Sequence, residues 1–201
     1  MGEAKVKREQ LRATMIEKTR DWMLPATEFE ADLAKSILDL PVRLVPRVDQ
    51  ATIASMRMPS NECHANVGWY ARNDPTGNTS QVTGWSTQWP DFTLHSVLGK
   101  GDQLMCITPN PVMDREIAFK PDDRIAWVED SEHYSPRIDG IEVPSNVRMF
   151  PDFTIAKCQF VLQQLEIVSN PYDALEIPID VHNEMIRLHV PEEYWPESRA
   201  A

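Results

Sequence analysis

The stretch from Phe92 to Pro109, FTLHSVLGKGDQLMCITP, decides how the middle of this chain is read. Two short runs rich in β-formers, FTLHSVL and QLMCITP, flank Gly99-Lys100-Gly101-Asp102, a turn composition, so they read as an antiparallel hairpin. If the turn is centred between Lys100 and Gly101, His95 falls opposite Cys106, and directly opposed residues point to the same face of a sheet. Upstream, QVTGWSTQW is a further strand, set off by Pro90-Asp91. Before Gln81 the character changes. His64–Arg72 reads as a short helix, with Asn61 as its cap and Asn73-Asp74-Pro75 and Gly77 as its breakers, so Cys63 lands at the helix start. A helix carrying a cysteine is followed by a sheet carrying a histidine.

Further out, residues 4–23 lack Pro and Gly and favour a helix stopped by Pro25. Thr27 with Glu30 resembles a capping box, and Phe29, Leu33, Ile37 and Leu38 mark one face of a second helix ending at Pro41. Val42–Pro46 is extended or a turn, and residues 49–58 suit a short helix or a strand equally. Beyond the hairpin, Ile117–Phe119 and Ile125–Val128 are strand candidates, and the acidic run Glu129-Asp130-Ser131-Glu132 reads as a solvated loop. Phe153–Val168 suits a buried helix or a strand, with helix favoured by the absence of a long break. In the segment opened by Pro171, MIRLHV fits either a strand or a helical face shared by His182 and His189. The expected architecture is α+β: N-terminal helices and a central helix carrying Cys63, packed on an antiparallel sheet. It forms one domain, residues 1–201, made of a helical part (1–58), an α+β core (59–170) and a C-terminal extension (171–201).

Length and charge bound the function. The 201 residues carry 31 acidic against 20 basic side chains, a formal charge of −11, which repels phosphate backbones and anionic lipid. Neither nucleic acid nor a membrane is an expected partner. The charged N-terminus MGEAKVKREQLRATMIEKTR lacks the apolar core of a signal peptide. Three widely spaced cysteines, Cys63, Cys106 and Cys158, do not form a disulfide framework, so a reducing cytoplasm is the expected location. The markers of P-loop, Rossmann, zincin and serine-hydrolase sites are absent.

The chemistry-bearing set is Cys63 and His95 with their neighbours. A thiolate reacts where a thiol scarcely does, and a helix N-terminus beside an imidazolium lowers a cysteine pKa. Backbone N–H groups at the same helix start can receive a developing oxyanion, and a polar group beside the histidine fixes its tautomer. The arrangement suits acyl transfer onto sulfur.

The strings CHAN at Cys63–Asn66, GW at Gly84-Trp85, LHSV at Leu94–Val97 and ITP at Ile107–Pro109 resemble a group of poorly characterised bacterial proteins with a papain-like or transglutaminase-like Cys–His core. The resemblance covers roughly residues 60–110 and rests on the order and spacing of the motifs together. It implies Cys63 as nucleophile, His95 as general base and a small-molecule or peptide acyl substrate, with no cofactor. The third position, which in that group usually holds Asp, here holds Cys106. A thiol is a poorer acceptor than a carboxylate, so Asn110 is the first substitute for the orienting role, with Asp102 and Asp114 behind it.

Other readings of the same residues stand beside these. Cys63, His95 and Cys106 together form an alternative zinc ligand set, although no close-spaced ligand pair is present; a catalytically inactive interaction module on the same scaffold is the further alternative. His64 reads as a helix-start residue with a satisfied hydrogen bond, or as a substrate contact. Trp85, just after Gly84, is either core packing or the lining of a cleft beside the thiol. Cys158 reads as inert core.

Overall fold

The computed structural model describes residues 2–109, 115–129 and 134–195. The protein is of mixed α+β class with antiparallel sheets. The chain divides into two compact units, one made of residues 1–31 and 150–201 and the other of residues 32–149. Among the described residues no helix is long and apolar enough to cross a membrane.

The first unit is helical. Helix α1 (Glu3–Asp21) and helix α5 (Pro151–Ile167) pack through Met15 and Ile16 against Val161 and Leu165, with Ala174 of a short 3-10 turn completing the cluster. Arg12 secures the pair, its guanidinium donating to the carbonyls of Leu165 and Val168 at the end of α5, where free carbonyls need donors. MIRLH of that stretch is helical, lying in α6 (Ile179–His189), where His182 sets its ring edge-on to Phe153. Cys158 is half-buried on α5.

Helix α2 (Glu28–Asp39) starts as its sequence requires, the Glu30 N–H donating to Thr27 Oγ1 at 3.1 Å. Lys120 donates its ammonium to the carbonyls of Leu38 and Leu40 at the other end. Residues 50–56 resolve into helix α3 (Gln50–Met56), capped by Asp49, which accepts the Thr52 N–H at 2.9 Å.

The main sheet runs β1 (Arg43–Pro46), β5 (Glu116–Pro121), β2 (Thr79–Gln88), β3 (Asp91–Lys100), β4 (Gln103–Met105) in spatial order, and β9 (Asn146–Arg148) pairs with the far end of β3. The sheet rolls until its outer strands meet: Cys106 donates its N–H to Pro46 and accepts from Val48 in a parallel bridge beyond β4. Val45, Val97, Cys106, Ile117 and Phe119 fill the roll. A smaller sheet of β6 (Ala126–Glu129), β7 (Tyr134–Ile138) and β8 (Ile141–Glu142) belongs to the same unit. Helix α4 (Cys63–Asn73) packs on the main sheet through Val67 against Leu98 and Ile107.

Two expectations need correction. The hairpin turn is the two-residue loop Gly101-Asp102, with Lys100 paired to Gln103 and Leu98 facing Met105 rather than Gln103. Gly101 takes φ +56°, the left-handed conformation such tight loops need, and this pulls Gly99 and Lys100 into the strand. Asn61 does not cap α4. It lies at φ +63°, and Glu62 takes the cap position without a side-chain hydrogen bond.

Candidate active site

Cys63 is the first residue of α4, and the buried Asn66 anchors that helix start by donating its side-chain amide to the Pro59 carbonyl at 2.9 Å. The strand opposite has a gap in its ladder. Along β3, Asp91–Thr93 pair with β9 and Leu98–Lys100 pair with β4, leaving residues 94–97 between them. Leu94 fills its part of the gap by donating to Ser145. The backbone N–H of Ser96 is directed at the Cys63 sulfur, which also receives the N–H of His64. The thiol thus sits where the sheet leaves a strand donor unclaimed.

Cys63, His64 and His95 line one cleft of about 370 Å³, together with Arg47, Ser86, Gln88 and Thr108 among others. His95 Nε2 lies 3.4 Å from Cys106 Sγ, and its ring stands edge-on to Phe119. Cys106 therefore reaches His95 although the register expected to bring them face to face is displaced by two residues. The displacement is even, so the side chains keep their face. Arg47 donates to Cys106 Sγ at 3.3 Å and to the Thr108 carbonyl at 3.4 Å, and the Thr108 N–H also points at that sulfur. Across from His95 on β2 stands Gly84, where a Cβ would lie 2.2 Å from the Lys120 carbonyl, so only glycine lets β5 approach.

Burial dominates the electrostatics. It raises the Cys63 thiol pKa, against the pull of the Ser96 and His64 N–H groups, and the neighbouring Cys106 raises it further. Burial pushes His95 down to about 4, helped by the proximity of His64 and of the Arg47 guanidinium. Cys106 is raised for the same reason, opposed by Thr108 and Arg47. In place of the expected thiolate and imidazolium, burial favours a neutral thiol at Cys63 and a neutral imidazole at His95, because desolvation outweighs the helix terminus.

His64 projects toward β3, its Nδ1 lying 2.7 Å from Ser96 Oγ, and its ring packs 4.8 Å from that of Trp127 on β6. Burial holds it too at about 4. Trp85 does not line the cleft. It is fully buried and donates its indole N–H to Asp122 Oδ2 at 3.0 Å, completing a carboxylate cage that Arg124 closes with two bonds of 2.7 Å. Asp102 is exposed in the hairpin turn and borders a different hollow with Arg43–Pro46. Asn110 and Asp114 lie outside the described residues, as do residues 130–132 of the acidic run. Among the described residues no group of three or more His, Cys, Asp or Glu side chains is arranged to hold a metal ion.

Sequence reasoning missed Arg47, Ser96 and Thr83. Ser96 had one available signal: a hydroxyl among Leu94, Val97 and Leu98 in a strand, where burial demands a hydrogen-bond partner. No protein-family model, no curated protein and no solved structure matches this chain.

Proposed function

We propose that the protein is a cysteine-nucleophile hydrolase or acyltransferase acting on an amide, ester or thioester carbonyl, built on a papain-like or transglutaminase-like core. The observation that carries this is the joint placement of Cys63, at the start of α4, and His95, with its Nε2 on Cys106, in the wall of one cleft. The order of helix-borne sulfur, strand-borne imidazole and neighbouring sulfur follows the motif order CHAN, LHSV, ITP.

With Arg47 and the Thr108 N–H already directed at Cys106 Sγ, that sulfur acts as the acceptor for His95 Nε2–H. The lone pair on His95 is then at Nδ1. The Cys63 sulfur attacks the acyl carbon as its proton passes to Nδ1, and the tetrahedral oxyanion forms near the N–H groups at the start of α4. Collapse expels the amine, alcohol or thiol, which takes the proton from His95, and leaves a thioester on Cys63. Water or an acceptor nucleophile then attacks the thioester, giving its proton to Nδ1, and Cys63 departs with that proton restored. Cys106 and Arg47 orient the base.

Intact-mass analysis after mixing the full chain with p-nitrophenyl acetate, and with a short acyl thioester, tests this. The expected result is one acyl group on Cys63, absent from Cys63→Ala and retained in Cys158→Ala. Adducts on Cys158 alone, or none with either donor, contradict it. Stoichiometric zinc in the purified protein, coupled to an unreactive Cys63, would favour the zinc-binding alternative instead.

A further inference from the structure

Two histidines share the cleft, and a count of protons separates them. Ser96 Oγ, fully buried, has three neighbours: Gln81 Nε2 at 3.0 Å, Thr83 Oγ1 at 3.2 Å and His64 Nδ1 at 2.7 Å. It owns one proton and two lone pairs. The Gln81 amide donates, using one lone pair. Thr83 Oγ1 itself accepts the Trp127 indole N–H at 3.0 Å. If Thr83 donates to Ser96, then Ser96 donates to His64 and every proton in the chain is used. In the reverse sense, with His64 Nδ1–H donating to Ser96 and Ser96 to Thr83, the hydroxyl proton of the half-buried Thr83 has no protein acceptor among the described residues and is left to solvent. Only the first sense uses every proton of the chain within the protein.

We infer that the relay Trp127–Thr83–Ser96 locks His64 as the neutral tautomer that accepts at Nδ1 and carries its proton on Nε2, and that this Nε2–H is the side-chain donor to the carbonyl oxygen of the acyl group attacked by Cys63. This rests on the acyl-transfer reading and adds to it a donor and a division of labour. His64 Nε2 has no protein partner among the described residues, and its residue lines the cleft beside Cys63. A protonated Nε2 has no lone pair for a proton, so His64 is excluded as the base and His95 takes that role alone. A neutral donor also suits this position: a second positive charge there would add to those that already disfavour a proton on His95. Trp127, stacked on Tyr134 at 5.0 Å, fixes the far end of the relay.

The test has a structural arm and a kinetic arm, both on the full chain. Long-range proton–nitrogen spectra of the imidazoles at pH 7 are expected to show His64 protonated at Nε2 and bare at Nδ1, with the preference weakened in Ser96→Ala. A wild-type His64 protonated at Nδ1 overturns the proposal. Kinetically, His64→Leu should slow acylation of Cys63 by an acyl thioester about 10²–10³-fold, the loss typical of one oxyanion donor. His64→Gln, which restores an N–H donor, should recover part of it. Alkylation of Cys63 by iodoacetamide builds no oxyanion and should change less than about threefold in His64→Leu, whereas it falls with acylation if His64 is the base. Parallel losses in both reactions overturn the donor role. A wild-type chain that forms no acyl-enzyme removes the reading on which that role depends, while the spectra decide the tautomer independently.

Discussion

In the helical unit the buried side chains are groups such as Phe153, Val161, Leu165 and Ile186, and Thr154 is the one polar side chain buried with them among the described residues. Within residues 32–149 the burial is of another kind: Asn66, Ser86, Ser96, Thr108, Lys120, Asp122, Ser135 and Arg148 all lie inside, along with Cys63 and Cys106. Buried polarity costs stability unless each group is matched, so it persists where geometry demands it. In the rolled sheet it anchors a helix start (Asn66), seals a helix end (Lys120) and sets a histidine tautomer (Ser96). The two units differ in what a substitution should do: in the first it removes packing, and in the second it unbalances hydrogen bonds and charge.

The largest expected effect on stability lies on the apolar side. Leu165 is fully enclosed between α1 and α5, so Leu165→Ala should cost about 2–5 kcal/mol in chemical denaturation. A loss below about 1 kcal/mol would mean that the helical unit does not hold its core as described.

The next effect belongs to the rolled sheet and depends on pH. His95 is held at about 4 when folded, against the ordinary 6.5, so between these values the unfolded chain binds a proton that the folded chain refuses. Its contribution is intact above pH 6.5 and is lost as pH falls toward 4, on the order of 3 kcal/mol in total. Urea titrations across that interval should show the decline, and His95→Gln should reduce it, leaving the share contributed by His64, which burial also holds at about 4. An unchanged slope in the variant would refute the neutral, buried state.

Cys106 is predicted to matter less than either. Replacing it by Ala removes the acceptor that orients His95, and loss of such an orienting partner typically costs about 10–100-fold in activity. Acylation of Cys63 should slow by that factor, and Cys106→Asp should recover much of it by restoring a stronger acceptor; equal rates in all three proteins would deny Cys106 its role. Smallest is Asp49→Ala, which uncaps α3 and should lower the midpoint in the same denaturation assay by less than Leu165→Ala does.

Local chemistry made much of this fold legible before any coordinates. Breakers at Pro25 and Pro41 delimited the first two helices, and the turn composition after Leu98 announced the hairpin. The hairpin register was not legible, because Gly99-Lys100-Gly101-Asp102 accommodates a four-residue or a two-residue loop and the difference lies in one backbone angle at Gly101. Cys106 reaches His95 all the same, because a two-residue slip preserves the face of the strand. The environment of Cys63 escaped for a different reason. A helix terminus can be read from sequence, but the desolvation that overrides it arises from contacts between segments far apart in the chain. Trp85 escaped likewise, since nothing local tells that Asp122 needs its indole N–H.

Cys63 and His95 are proposed to work as a neutral pair, and the pH dependence of Cys63 acylation tests this most directly. A pair with its imidazole titrating near 4 and its thiol above the ordinary cysteine value holds the same number of protons throughout the interval between. The acylation rate should therefore rise as pH passes about 4 and stay level across neutrality, and His95→Gln should abolish the plateau. A rate that climbs tenfold per pH unit through neutrality in the wild type, unchanged by His95→Gln, would show a lone thiol ionising by itself and would contradict the pair.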